Sequence, residues 1–159
     1  MTKADKYNLL LQQIDGLLNT QEPIITNLAN VVAAIKQTFS KVSWVGFYFV
    51  KESQLFLGPY QGNVACTRIL LGKGVCGTVA KSHKSLVVPN VNEFPGHIAC
   101  DVDTRSEIVV PLIFNNGVYA VLDLDSTELS TFDGIDKEWL ENICNLIANR
   151  LDLYQTLLG

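Results

Sequence analysis

Near the start of the chain Leu10, Leu11, Ile14, Leu17 and Leu18 recur three or four residues apart. That spacing stacks them on one face of a helix, so an amphipathic helix is predicted from about residue 4 to 18. Pro23 fits the first turn of a second helix, whose apolar positions Ile24, Leu28, Val31, Val32, Ile35 and Phe39 keep the same period. At the other end Ile135, Trp139, Ile143, Leu146, Ile147, Leu151 and Tyr154 draw a third stripe. The three apolar faces are expected to lie together. Between them the period changes to two. "SWVGFYFV" (Ser43 to Val50) and "QLFLG" (Gln54 to Gly58) are aromatic-rich runs joined by a polar "KES", which reads as a hairpin. "EIVVPLIF" (Glu107 to Phe114), the turn "NNG" and "VYAVLDLD" (Val118 to Asp125) make a clearer one. Strand alternation puts Val121, Asp123 and Asp125 on one face of the last run and Leu122 and Leu124 on the other.

The stretch from Gly58 to Ser106 follows neither rhythm for long, and it holds three of the four cysteines and both histidines. "GVCGTVAKS" (Gly74 to Ser82) reads as a short helix and "SLVVPNV" as a short strand, with loop around them. A long ordered loop in a compact domain is where function tends to concentrate. Helices on one side of a sheet and a loop region over the other is an α+β layout.

Composition narrows the setting. A chain of 159 residues, 48% hydrophobic and 18% charged, has the profile of one globular domain spanning residues 1–159. Its net charge of -4 comes without a basic run, so no nucleic-acid or membrane surface is marked. The first residues lack the pattern of a signal peptide, and no apolar run approaches the ~20 residues that span a bilayer. A cytoplasmic protein is expected. In a reducing compartment, four cysteines point to catalysis, metal binding or plain burial more than to a permanent disulfide framework.

Cys100, in "FPGHIACD", is the first candidate for chemistry. A thiol becomes a useful nucleophile when a cation or helix N-terminus depresses its pKa, and it is inert among apolar groups. His97 offers such help, whereas Asp101 opposes ionisation. Cys66 and Cys76 lie in the same region, and a neighbouring thiol converts a sulfenic acid into a disulfide that a reductant can reopen. The competing reading makes any one of them a small core residue, Cys76 above all. Cys144, beside the last apolar stripe, reads as core. A zinc site from Cys66, Cys76, His97 and Cys100 lacks both the C-x-x-C and the H-x-x-x-H spacing. "GKGVCG" fits G-x-G-x-x-G, with Glu93 beyond it, but without a parallel βαβ unit the glycines serve to turn the backbone.

The acids and aromatics add a second constellation. Counting outward from "NNG" pairs Glu107 with Asp125 across the hairpin and gathers Glu107, Asp123 and Asp125 near the Cys100 loop. Clustered acids raise one another's pKa, so one can hold a proton while others bind a cation; the alternative is a solvated strand end. Trp44 and Tyr48 share a strand face and either hold a cation or methyl-sulfur group or pack as core.

Taken in order, "WVGFY", "ACTRILLGKGVCGTVA", "FPGHIACD", "SEIVVPL" and "VLDLDS" resemble the free methionine-(R)-sulfoxide reductases, which are built on a GAF-type domain. The resemblance implies a GAF-like α+β fold: a central antiparallel sheet, the N- and C-terminal helices on one face, and a loop-covered pocket on the other. It also implies that Cys100 attacks the substrate, Cys66 resolves the product, and Cys76 is a third thiol that shares in recycling. Trp44 and Tyr48 would form the aromatic wall. Asp123, with Glu107, would assist the departing oxygen, while Glu107, Asp123 and Asp125 would hold the α-ammonium group of a free amino acid. Such chemistry needs no metal or cofactor and draws on thioredoxin or a similar dithiol; the family tends towards homodimers. The alternatives from other classes are a GAF-type sensor that binds a small molecule without turnover and a cysteine peroxidase.

Overall fold

The computed structural model describes all 159 residues. Its elements run α1 (Lys3–Leu17), α2 (Ile24–Thr38), β1 (Trp44–Lys51), β2 (Gln54–Gln61), β3 (Arg68–Leu70), α3 (Gly74–Ser82), β4 (Leu86–Val88), β5 (Ser106–Phe114), β6 (Gly117–Ser126) and α4 (Gly134–Arg150). The six strands form one antiparallel sheet in the order β3-β2-β1-β6-β5-β4.

Two tight turns fix the register. Glu52 and Ser53, between β1 and β2, take φ of 52° and 63°, and Asn115 and Asn116, between β5 and β6, take 54° and 62°. A two-residue loop with both positions at positive φ matches the twist of the strands it joins. The predicted "NNG" turn is therefore real, and the pairing counted outward from it is the one observed: Glu107 opposes Asp125.

The sheet has a core on each face. On one side α1, α2 and α4 pack their stripes over Val45, Phe47, Ile108, Val110, Leu122 and Leu124. Leu10, Ile14, Leu28, Ile35, Leu140 and Ile147 are buried there, whereas Leu17 and Ile135 of the predicted stripes are exposed. Asp136 stitches this layer together: its carboxyl closes the capping box of α4 with Asp133 and accepts from the Tyr7 hydroxyl at 2.6 Å and Lys3 Nζ at 2.7 Å. On the opposite side a smaller core gathers Trp44, Tyr48, Val75, Cys76, Val109 and Val121 under α3. No helix is long and apolar enough to cross a membrane.

Three boundaries differ from the sequence reading. α2 begins at Ile24, with Pro23 just before its first turn. β2 continues past Gly58 through Pro59 to Gln61. Proline is tolerated there because β3 pairs only with the start of β2, which leaves that edge free of ladder bonds. The last helix stops at Arg150, where Leu151 turns extended. Leu151 and Leu153 stay buried beyond it, whereas Tyr154 is exposed and meets Phe114 edge-on.

Candidate active site

Strand register builds the floor of a pocket on the face away from the three long helices. β6 sets Asp125 between Glu107 of β5 and Trp44 of β1, and sets Asp123 between Val109 and Gly46. Directly paired residues point to the same face, so Glu107, Asp125 and Trp44 form one row and Asp123 stands in the next. Glu107 and Asp123 are only 6% and 5% exposed. Acids so deep in the sheet are costly to ionise. Burial first, then the neighbouring carboxyls, raise all three: Asp123 to about 8, Glu107 and Asp125 well above the ordinary carboxylate range. Oδ1 of Asp123 and Oδ1 of Asp125 are buried, and no donor from outside the carboxyl cluster reaches either one. Buried acceptors that no outside donor reaches mark a place where a ligand's polar groups belong.

α3 closes the floor from above. Gly72 and Gly74 take φ of 82° and 64°, the turning role expected of the "GKGVCG" glycines, and start the helix over the acids. Cys76 then reaches down and donates its thiol hydrogen to Asp123 Oδ2 at 3.2 Å. Burial and the adjoining acids push that thiol well above its usual pKa. Cys76 Sγ and carboxylate oxygens of Glu107 and Asp123 lie within 4.8 Å of one another, a spacing that suits a divalent cation.

The walls come from β1 and two loops. Trp44 and Tyr48 stack with ring centroids 6.0 Å apart, as their shared strand face predicts. Both also anchor the loop after β2: Trp44 Nε1 donates to the Asn63 carbonyl at 3.0 Å and the Tyr48 hydroxyl to the Cys66 carbonyl at 2.9 Å. Cys66 of that loop is bonded to Cys100 of the loop before β5, with a Cα to Cα separation of 5.4 Å across 34 residues of sequence. Both half-cystines are partly exposed, and Cys100 lines the pocket with the aromatics, Cys76 and the three acids. The pocket is open on one side, and the space between its walls, counting that mouth, is about 540 Å³. His97 lines it too, but burial lowers its pKa, so it stands neutral and supplies no cation for a thiolate. The Cys66–Cys100 bond takes two thiols out of the four-ligand zinc set weighed from sequence. Cys144 is buried in the helix-side core, as its stripe predicted.

Residues 22–152 match the GAF domain family. The chain is 50% identical over 149 residues to GAF domain-containing protein A of Dictyostelium discoideum, covering 93% of this chain and 94% of that protein. It is 43% identical over 155 residues to the free methionine-R-sulfoxide reductase of Saccharomyces cerevisiae, covering 92% of this chain and 86% of the yeast protein. The X-ray structure of free methionine-R-sulfoxide reductase from Neisseria meningitidis in complex with its substrate superimposes with a TM-score of 0.91 at 40% identity, over 94% of this chain and 90% of that one. The chain belongs to the free methionine-R-sulfoxide reductase family of GAF domains.

In this family member, sequence reasoning missed three features of the site. Tyr60 is a third aromatic, stacked on Trp44 at 5.3 Å. It lies beyond Gly58, where the strand read from "QLFLG" ends. Gly46 makes the stacking possible: a Cβ there would come within 2.5 Å of both the Trp44 ring and Tyr60 Cβ. The Cys76 bond to Asp123 left no local signal, since it depends on where α3 lands.

Proposed function

We propose that this chain reduces free methionine (R)-sulfoxide to methionine with Cys100 as nucleophile. The observation that carries the reading is the Cys66–Cys100 bond on the wall of a pocket floored by three acids, Glu107 and Asp123 buried and Asp125 half-buried. A redox bridge and a cluster of acids meet in one cavity.

The chemistry runs from that geometry. In the reduced chain the Cys100 thiolate attacks the sulfoxide sulfur, and protons pass to the departing oxygen. Asp123 is the donor: at neutral pH it holds its proton, and no donor from outside the carboxyl cluster reaches its Oδ1. As the transient S–S bond and the substrate S–O bond break, the protonated oxygen passes to the Cys100 sulfur, so Cys100 is oxidised to a sulfenic acid and the substrate departs as the thioether. Asp125 and Glu107 receive the α-ammonium group, whose charge offsets the cost of ionising acids in this site. Trp44 and Tyr48 provide apolar and sulfur-compatible surface for the methyl end, with Tyr60 stacked on Trp44. A peptide-bound methionine has no ammonium to give the acids, so the site favours the free amino acid.

Cys66 then attacks the sulfenic acid and releases water, forming the bridge. Thioredoxin or a similar dithiol reopens it. Cys76 is free in the bridged chain and donates its thiol hydrogen to Asp123, which orients that acid.

The test is methionine release from the free (R) and (S) sulfoxides and from a blocked peptide sulfoxide, with dithiothreitol as reductant. Turnover of the free (R) form only, abolished in Cys100→Ser, is expected. No release from any form returns the chain to a ligand-binding GAF domain.

A further inference from the structure

The two most exposed large hydrophobic side chains of the whole molecule are Val102, at 87%, and Val64, at 84%. Neither lies at a chain end. Val64 is two residues before Cys66 and Val102 two residues after Cys100, so they flank the two halves of the bridge. The loops that carry them are tied twice, by the bridge and by a hydrogen bond from Asn63 Nδ2 to Asp101 Oδ2 at 3.5 Å. Ile98, also exposed, adds a third apolar side chain beside Cys100. One exposed valine is ordinary on a protein surface; the two extremes of a chain meeting around a half-exposed disulfide are not. The backbone amides of Val64, Ala65 and Cys66 also have no partner within the chain.

We infer that Val64 and Val102, with Ile98, form the docking surface for a protein dithiol that reduces the Cys66–Cys100 bridge. The inference rests on the reductase reading for its purpose, since each turnover leaves the bridge closed and in need of two electrons. In the exchange, one thiolate of the partner bonds to a bridge sulfur, and the other bridge sulfur leaves as a thiolate and takes up a proton. The partner's second thiol, losing its own proton, displaces the mixed disulfide. Two electrons pass to this chain and the partner ends as a disulfide. A small thiol covers little area and gains nothing from apolar side chains two residues away. A protein whose reactive cysteine sits in an apolar surface gains contact with both valines, and the unpartnered amides offer backbone bonds to the same visitor.

Reduction of the oxidised chain is to be followed with no sulfoxide present, once with thioredoxin and once with dithiothreitol. Val64→Asn combined with Val102→Asn removes apolar surface without adding charge. The second-order rate with thioredoxin is expected to fall about tenfold or more, as for loss of an interface hot spot, while the rate with dithiothreitol stays unchanged. Val64→Ile with Val102→Ile should retain the thioredoxin rate. An unchanged thioredoxin rate in the asparagine variant, or equal slowing with both reductants, overturns the docking surface. Because no sulfoxide is used, failure of the reductase reading would appear in the methionine-release assay and not in this one.

Discussion

In the proposed mechanism Asp123 is the proton donor. It faces Cys76 from α3, Glu107 from β5, Asp125 from its own strand and the Tyr48 hydroxyl from β1, with no cation among them. Burial is the largest cause of its raised pKa of about 8, and Asp125 adds to it. The rate of methionine formation by the reduced chain is therefore expected to fall as pH rises through about 8, and Asp123→Asn to slow it by roughly 10²–10⁴ and erase that limb. Stability falls with rising pH as well. An unfolded aspartate titrates near 3.9, so the contribution of the folded-state proton is complete below about pH 4 and is lost as pH rises through about 8. Asparagine carries no charge to desolvate, and the same variant should melt higher than the native chain at pH 9, by about 2–4 °C per kcal/mol recovered. Stopped-flow product formation and calorimetry across pH read the two effects. The acid trio was legible because a hairpin register is simple counting from its turn. The bond from Cys76 was not, because a helix laid across a sheet is placed by tertiary packing that no local pattern encodes.

At the scale of elements, β1 does the positioning. Its alternation sends Val45 and Phe47 into the helix-side core and Trp44, Gly46 and Tyr48 into the pocket face. Gly46 lies opposite Asp123 and under the Trp44 ring, so a side chain there would push the ring off Tyr60 and into the substrate space. Gly46→Ala is expected to raise KM for the sulfoxide about tenfold and to cost about 1–3 kcal/mol of stability through overpacking. Steady-state kinetics and thermal melting check it. The three long helices and both hairpins were readable from periodicity, since burial of one face imposes it. The end of β2 was hidden by Pro59, a residue that breaks interior strands but is permitted on a free edge. The Cys66–Cys100 pair was not readable from spacing either: loops of 34 residues can close on any thiol within reach, and only the resemblance to a family distinguished Cys66 from Cys76.

Across the whole molecule the sheet divides its labour. The helix side buries a continuous apolar core, sealed at α1 and α4 by the Asp136 contacts to Tyr7 and Lys3. The other side carries buried acids, a neutral thiol and a bridge between loops, features that cost stability and make sense only with a ligand and a reductant. The central claim is that Cys100 takes the oxygen and Cys66 takes over from it. The most direct measurement uses reduced Cys66→Ser mixed with free methionine (R)-sulfoxide and no reductant, with mass analysis of methionine and of the dimedone-treated chain. One methionine per chain, with a single dimedone adduct on Cys100, is the predicted result. Methionine formation that leaves Cys100 unmodified, or that continues unchanged in Cys100→Ser, would contradict the account.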